Sequence, residues 1–127
     1  MRLLVVDDEI RTLGAFTYRL EEMAEVVDLV ESAADAFAKI ELVGRYGYVI
    51  SDHRLGPDSF SDEQHNGIFV LSAISEKAPG TKTILFTLSP DIERHALQGG
   101  IDACFNKMQH RELVDWIKSD WELRRGA

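Results

Sequence analysis

The stretch Leu3-Leu4-Val5-Val6-Asp7-Asp8-Glu9 is an unbroken run of four apolar residues that ends abruptly in three acids. A short continuous apolar run is typical of a strand that is buried on both faces of a parallel sheet. It is too short to span a membrane, and a secretory signal would not pass directly into acids. The stretch therefore predicts a buried first strand that delivers acidic side chains to its carboxyl end.

Similar apolar runs recur along the 127 residues, separated by segments with helical spacing. The further predicted strands are Val26–Val30, Tyr48–Ile50, Thr83–Thr87 and Ala103–Phe105. The predicted helices run around Ile10 to Leu20, from an N-cap at Ser32 to Ile40, from Gly67 to Ala78, from Pro90 to Gly99, and from Glu112 to Leu123. Such alternation requires right-handed crossovers and a parallel sheet between layers of helices. We therefore expect one α/β domain over residues 1–127, a doubly wound (βα)5 fold.

The composition narrows the classes of function. The chain has 22 acidic against 14 basic residues, a net charge of −8, so it repels nucleic-acid phosphates and direct DNA or RNA binding is not expected. This charge suits a cation or a basic partner surface, although it also simply favours solubility. The single cysteine, Cys104, excludes an intramolecular disulfide, and a reducing, cytoplasmic location is expected.

Polar side chains follow four of the five predicted strands. Asp7 and Asp8 end the first, Asp52 follows the third, Thr87 ends the fourth and Lys107 follows the fifth. Each has an ordinary explanation by itself, such as a helix-terminal acid or a solvated lysine. Because the carboxyl ends of parallel strands meet at one edge of the sheet, however, we expect all of them to converge there.

The expected cluster suits phosphoryl chemistry. Two carboxylates at ~4 Å repel by about 4 kcal/mol at an effective dielectric of about 20, and a bound divalent cation removes that repulsion. Oxygen ligands favour Mg²⁺, Mn²⁺ or Ca²⁺, and Mg²⁺ leaves room for phosphoryl oxygens. With Lys107 as a second positive charge and Thr87 as a hydrogen-bond donor, the cluster is a candidate pocket for a phosphoryl group carried on a carboxylate.

With these motifs, the chain resembles the receiver domains of two-component response regulators, the CheY-like family, over essentially its whole length. The residues that carry the resemblance are Leu3–Glu9, Val49–Asp52, Ile84–Thr87 and Cys104–Lys107. The resemblance implies a five-stranded parallel sheet of order 2-1-3-4-5 with helices on both faces.

The resemblance also implies roles for individual residues. Asp52 would accept a phosphoryl group from the phosphohistidine of a histidine kinase or histidine phosphotransfer protein. Thr87 and Lys107 would contact that group. The implied ligands of Mg²⁺, with Mn²⁺ as an alternative, are Asp7, Asp8, Asp52 and the backbone carbonyl of Arg54.

Phosphorylation would then act on a surface formed by the predicted helix after Pro90, the fifth strand and the last helix. This surface would bind a downstream protein, dimerise, or contact an output domain beyond residue 127. No membrane or nucleic-acid partner is expected.

Four features depart from the family pattern. Leu88 stands where a small residue is usual, Cys104 where a switching Tyr or Phe is usual, and Met108 where a proline with a cis bond is usual, so we expect a trans bond before Met108. The segment 54–66 is also longer than usual.

Two other functions therefore stay open. The first is a pseudo-receiver, a binding module that keeps the fold without phosphotransfer. The second is a Mg²⁺-dependent phosphohydrolase with an aspartyl nucleophile, although such enzymes place an Asp-x-Asp pair after the first strand rather than adjacent acids. Beyond self-directed phosphotransfer and dephosphorylation, no enzymatic activity is expected.

Overall fold

Five parallel strands form one sheet in the computed structural model, which describes residues 1–9, 13–55, 66–88 and 99–126. The strands are β1 (Arg2–Val6), β2 (Val26–Val30), β3 (Tyr48–Ser51), β4 (Lys82–Thr87) and β5 (Ala103–Asn106). Their order is β2-β1-β3-β4-β5. This confirms the predicted α/β class and the strand order that the resemblance implies.

Four helices lie within the described residues. They are α1 (Gly14–Met23), α2 (Ala33–Val43), α3 (Gly67–Lys77) and α4 (His110–Gly126). Three predicted parts lie outside the described residues: residues 90–98 of the helix predicted from Pro90 to Gly99, residues 56–65 of the long segment, and Ile10 of the first helical pattern. None of the described helices is long and apolar enough to cross a lipid bilayer.

Helix boundaries follow from local hydrogen bonding. The Ser32 hydroxyl accepts a hydrogen bond from the Asp35 backbone N–H at 3.1 Å, which confirms the predicted N-cap of α2. Asn66 caps α3 in the same way, since its Oδ1 accepts from the Phe69 N–H at 2.9 Å. α2 ends at Val43 and is capped by Gly44, which takes the left-handed conformation that glycine tolerates, with φ of 68°.

The unbroken apolar run of β1 serves two cores. Leu4 and Val6 face the layer formed by α2 and α3, whereas Leu3 and Val5 face the layer formed by α1 and α4. None of the four is more than 2% exposed. Because β1 is buried on both faces, both side-chain sets of the strand are constrained, and the position of its acidic carboxyl end is constrained with them.

Candidate functional site

The register of the central strands brings two of the predicted acids together. Val6 of β1 pairs with Ser51 of β3, and the Asp52 backbone N–H donates to the Val6 carbonyl at 3.0 Å. On the other side of β1, the Asp7 N–H donates to the Val30 carbonyl at 3.0 Å. Asp7 and Asp52 therefore leave the sheet side by side.

Asp8 completes a cluster of three carboxylates. One oxygen from each of Asp7, Asp8 and Asp52 lies within 4.8 Å of the other two. Asp7 is only 2% exposed, Asp52 is half-buried, and Asp8 faces solvent. The cluster at the strand ends thus combines a buried acid, Asp7, with a solvent-accessible acid, Asp8.

The surroundings of Asp7 and Asp8 make the ionisation of these two acids costly. Burial raises the pKa of Asp7, even though hydrogen bonds from Lys107 and from the Glu9 backbone oppose the rise. Burial also raises the pKa of Asp8, with further contributions from the negative charges of Glu9 and Asp52. Additional positive charge near Asp7 and Asp8 would therefore stabilise their ionised forms.

Lys107 provides one such charge. Its ammonium Nζ lies 2.9 Å from Asp7 Oδ2 and 3.0 Å from Asp52 Oδ2. Burial by itself would lower the pKa of Lys107, but the two carboxylates outweigh burial and the pKa is raised. The turn after β5 is held to β4, because the Lys107 backbone N–H donates to the Thr87 carbonyl at 3.2 Å.

Backbone donors orient the two bridged carboxylates. Asp7 Oδ1 accepts from the Glu9 N–H at 2.8 Å, and Asp52 Oδ1 accepts from the His53 N–H at 2.7 Å. Each carboxylate thus has one oxygen on the backbone and the other on Lys107. Such fixed geometry is what a reacting group needs if it is to meet its substrate without reorganisation.

A glycine at the start of α3 lies against the backbone of the central acid. A Cβ at Gly67 would lie 1.9 Å from the Asp52 carbonyl oxygen and 2.8 Å from His53 Cα. The Gly67 N–H also donates to the His53 carbonyl at 2.7 Å. The sequence predicted Gly67 only as a helix start, so its close approach to Asp52 was missed; a glycine directly after the Asn66 cap is the one available signal.

The other predicted site residues are placed less closely. Thr87 ends β4 and is 4% exposed, so it lies at the same edge of the sheet as the acids. Arg54 lies two residues beyond Asp52 and is exposed. The structure thus brings Asp7, Asp8, Asp52 and Lys107 into one cluster, with Thr87 at the same edge of the sheet.

Three of the departures from the family pattern have clear positions. Leu88 and Met108 are 64% and 82% exposed, beyond the ends of β4 and β5. Cys104 is half-buried and packs against the α2–α3 side of the core. The described residues contain no cis peptide bond, so the bond before Met108 is trans as predicted. The Met108 N–H is held by Asn106 Oδ1 at 2.9 Å, in a turn that leads into α4.

The three acids form a donor set of the kind that a hard divalent cation binds. The three acids offer oxygen ligands, which Mg²⁺ and Mn²⁺ prefer. With all three ionised and Lys107 protonated, the four side chains carry a net charge of −2, the charge that one such ion neutralises. Asp8 is the most accessible of the three acids and is suited to an incoming ion.

Known structures resemble this fold closely. No protein-family model matches the chain, and no curated protein matches its sequence. A CheY-like response regulator receiver domain from Methanospirillum hungatei is 26% identical, with a TM-score of 0.81 over 98% of this chain and 96% of that one. The BeF3-activated receiver domain of DrrB is 24% identical, with a TM-score of 0.77 over 95% of this chain and 97% of that one.

A longer form of DrrB, an OmpR/PhoB homologue from Thermotoga maritima, is 25% identical with a TM-score of 0.77. That comparison covers 97% of this chain but only 53% of the DrrB chain. The chain thus matches an isolated receiver domain over nearly its whole length, and it matches about half of this longer regulator.

Proposed function

We propose that this chain, which has the fold of the CheY-like receiver domains of response regulators, is a phosphorylatable switch of a two-component or phosphorelay system. Asp52 is the proposed phosphoryl acceptor. The observation that carries the proposal is the Lys107 ammonium, which bridges Asp7 and Asp52 beside Asp8 at the carboxyl ends of the strands.

The proposed transfer is a substitution at phosphorus. An Asp52 carboxylate oxygen attacks the phosphorus of a phosphohistidine, the P–N bond breaks, and the imidazole leaves with the electron pair and takes up a proton. The protonated Lys107 is close enough to balance charge that develops on the transferring oxygens. Thr87 is the proposed hydrogen-bond donor to the same oxygens.

Asp7, Asp8 and Asp52, with the backbone carbonyl of Arg54, are the proposed ligands of Mg²⁺, and Mn²⁺ would suit the same oxygens. When bound, the cation would supply positive charge to the phosphoryl oxygens. The raised pKa values of Asp7 and Asp8 support this assignment, since burial and neighbouring negative charge make these two carboxylates costly to ionise without a cation.

The proposed phosphodonor is a histidine kinase or a histidine phosphotransfer protein, in the cytoplasm. The proposed reader is a downstream protein, a second copy, or an output domain. Support for the last comes from DrrB, whose longer chain extends well beyond the part that this chain covers. The proposed contact face combines β5, α4 and the helix predicted after Pro90.

Phosphorylation can be tested by incubating the protein with Mg²⁺ and acetyl phosphate and recording its intact mass. We expect the mass of one phosphoryl group to be added in wild type, and to be absent in Asp52→Asn or with EDTA. Asp115→Asn, an exposed acid on α4, is the matched control and should label like wild type. Labelling that persists in Asp52→Asn would place the acceptor elsewhere.

The same samples separate the two alternatives. A pseudo-receiver would show neither a phosphoryl adduct nor a Mg²⁺-dependent response to beryllofluoride, the ligand of the activated DrrB structure. A phosphohydrolase would instead release p-nitrophenol steadily from p-nitrophenyl phosphate, in amounts far above that of the protein. We expect an adduct and no sustained turnover.

A further inference from the structure

A cleft of about 490 Å³ opens at the edge of the sheet opposite Asp52. Its walls come from the amino end of β1, the segments before β3 and β4, and the last turns of α4. Arg2 in this cleft and Asp7 lie five residue steps apart along β1, which amounts to about 16 Å at the rise of a parallel strand. The cleft has the size of a small-molecule site and shares no residue with the acid cluster.

Its charge is opposite to that of the whole chain. Arg2, Arg45 and Arg124 line the cleft against one acid, Glu25, although the chain as a whole carries −8. Within the described part of the chain, the side chains of Arg2 and Arg45 have no hydrogen bond or ion pair. Both residues line the cleft and are exposed, so their guanidinium donors can bind an anion there.

The third arginine is already held in place. Arg124 donates to the Gly80 carbonyl at 2.7 Å and to the Gly47 carbonyl at 3.3 Å. Its guanidinium lies 5.3 Å from the ring centroid of Tyr48 and 5.9 Å from that of Trp121. This charge costs no side-chain ordering when a ligand arrives, and Trp121 adds an aromatic surface to the same wall.

Gly47 keeps the cleft open between these walls. A Cβ at this position would touch the Arg2 carbonyl at 3.6 Å and Trp121 Cζ3 at 3.9 Å, so a side chain here would fit but would occupy the space between them. The position thus offers a way to fill the cleft without displacing the backbone.

From these features we infer that the cleft binds a small organic phosphate with a planar ring, the chemistry of a nucleoside diphosphate. Arg2 and Arg45 bind the phosphate oxygens, Arg124 adds positive charge, and the ring packs against Trp121. This inference does not depend on phosphorylation of Asp52, because none of its residues belongs to that site.

The test is calorimetric titration of ADP into the full chain in EDTA, which removes metal binding at the acid cluster. Adenosine and pyrophosphate are titrated separately. We expect ADP to bind about tenfold more tightly than either, because only ADP uses both the arginines and the aromatic wall. Quenching of Trp121 fluorescence in a Trp116→Phe background reports the ring contact directly.

Two variants and a control locate the site. Arg45→Glu should weaken ADP binding about tenfold or more through charge reversal, and Gly47→Val should weaken it by filling the cleft. Arg111→Glu makes the same charge change at the other end of α4 and should leave the dissociation constant unchanged. The thermal midpoint of each variant checks folding.

Three results would overturn the inference: no saturable ADP binding, equal weakening by Arg45→Glu and Arg111→Glu, or pyrophosphate binding as tightly as ADP. The first removes the site, the second makes the attraction non-specific, and the third removes the aromatic contribution. Because metal is absent throughout, failure here leaves the phosphorylation of Asp52 untouched.

Discussion

At the carboxyl end of β1, Asp8 faces solvent while one of its carboxylate oxygens lies within 4.8 Å of oxygens of Asp7 and Asp52. Its pKa is raised by burial and by the charges of Glu9 and Asp52. An acid whose pKa is higher in the folded than in the unfolded protein makes its full contribution to stability at pH values below the unfolded pKa. This contribution is lost as the pH rises through the folded pKa. Ionised Asp8 therefore destabilises the metal-free protein at neutral pH.

We predict that Asp8→Asn raises the free energy of unfolding in EDTA at pH 7 by a modest amount, about 0.2–1 kcal/mol given solvent screening of an exposed charge. Because wild-type Asp8 is neutral below its unfolded pKa, the difference should disappear below about pH 4. Urea unfolding at several pH values measures it. Glu41→Gln, an exposed acid of α2, serves as control. A gain that persists unchanged at low pH would mean that electrostatic repulsion is not the cause.

A second residue-scale prediction concerns Gly67. We expect Gly67→Ala to lower the free energy of unfolding by about 1–3 kcal/mol or more, because its Cβ would clash with the Asp52 backbone at 1.9 Å. The displacement should also slow labelling by acetyl phosphate. Gly14→Ala in α1 is the matched control, since a Cβ there has no atom within 4 Å and stability should stay within about 0.5 kcal/mol. Equal stability of both variants would contradict the close approach.

At the scale of elements, α4 is tied to the sheet through one carboxylate. Asp120 accepts hydrogen bonds from the Tyr48 hydroxyl at 2.5 Å and from Lys82 Nζ at 2.6 Å. Burial and this bond to Asp120 raise the pKa of Tyr48 to about 12, so its hydroxyl stays a donor. Burial tends to raise the pKa of Asp120, but the bonds from Lys82 and Tyr48 outweigh it and the pKa is lowered.

We therefore predict that Asp120→Asn destabilises the protein at pH 7 by about 1–2 kcal/mol, the size of a hydrogen bond to a charged group after partial screening. An acid whose pKa is lower in the folded protein stabilises the protein at pH values above the unfolded pKa. This contribution is lost as the pH falls through the folded pKa. The wild-type advantage should thus shrink below about pH 4. Asp115→Asn, an exposed acid of the same helix, should have little effect. Chemical denaturation followed by circular dichroism measures both, and equal losses would contradict the anchor.

At the scale of the whole molecule, the acid cluster links distant parts of the chain. Asp7 follows β1, Asp52 follows β3 and Lys107 follows β5. The Lys107 ammonium therefore contacts Asp7, 100 positions away in the chain, and Asp52, 55 positions away. A ligand that binds such a cluster only in the folded state stabilises the entire domain by mass action.

We predict that Mg²⁺ at ten times its dissociation constant stabilises the protein by about 1.4 kcal/mol. The thermal midpoint should rise by about 4–6 °C for a domain of this size. Asp8→Asn should remove most of the rise, whereas NaCl of equal ionic strength should not reproduce it. Differential scanning calorimetry provides the measurement. A rise of the same size in the variant would exclude the acid cluster as the site.

Local patterns in the chain were enough to predict the strands, the Ser32 cap and the convergence of Asp7, Asp8, Asp52 and Lys107 at one edge of the sheet. Continuous apolar runs predict strands buried on both faces, because neighbouring residues such as Leu3 and Leu4 point to opposite faces and pack in different cores. Acids, Thr87 and Lys107 directly after such runs must emerge at one edge of a parallel sheet. The order of the strands came from the family resemblance instead, since periodicity does not tell which strands are neighbours.

Only the tertiary structure decided the distances that matter. The register of β1 against β3 sets Asp7 beside Asp52, and the turn after β5 brings Lys107 between them. The contact of Gly67 with Asp52 and the cleft between Arg45 and Trp121 have no local signature either. The physical reason is common to all of them. These contacts join residues far apart in sequence, and their distances depend on how whole strands and helices pack. The burial pattern of a single element, by contrast, can be read from its own few residues.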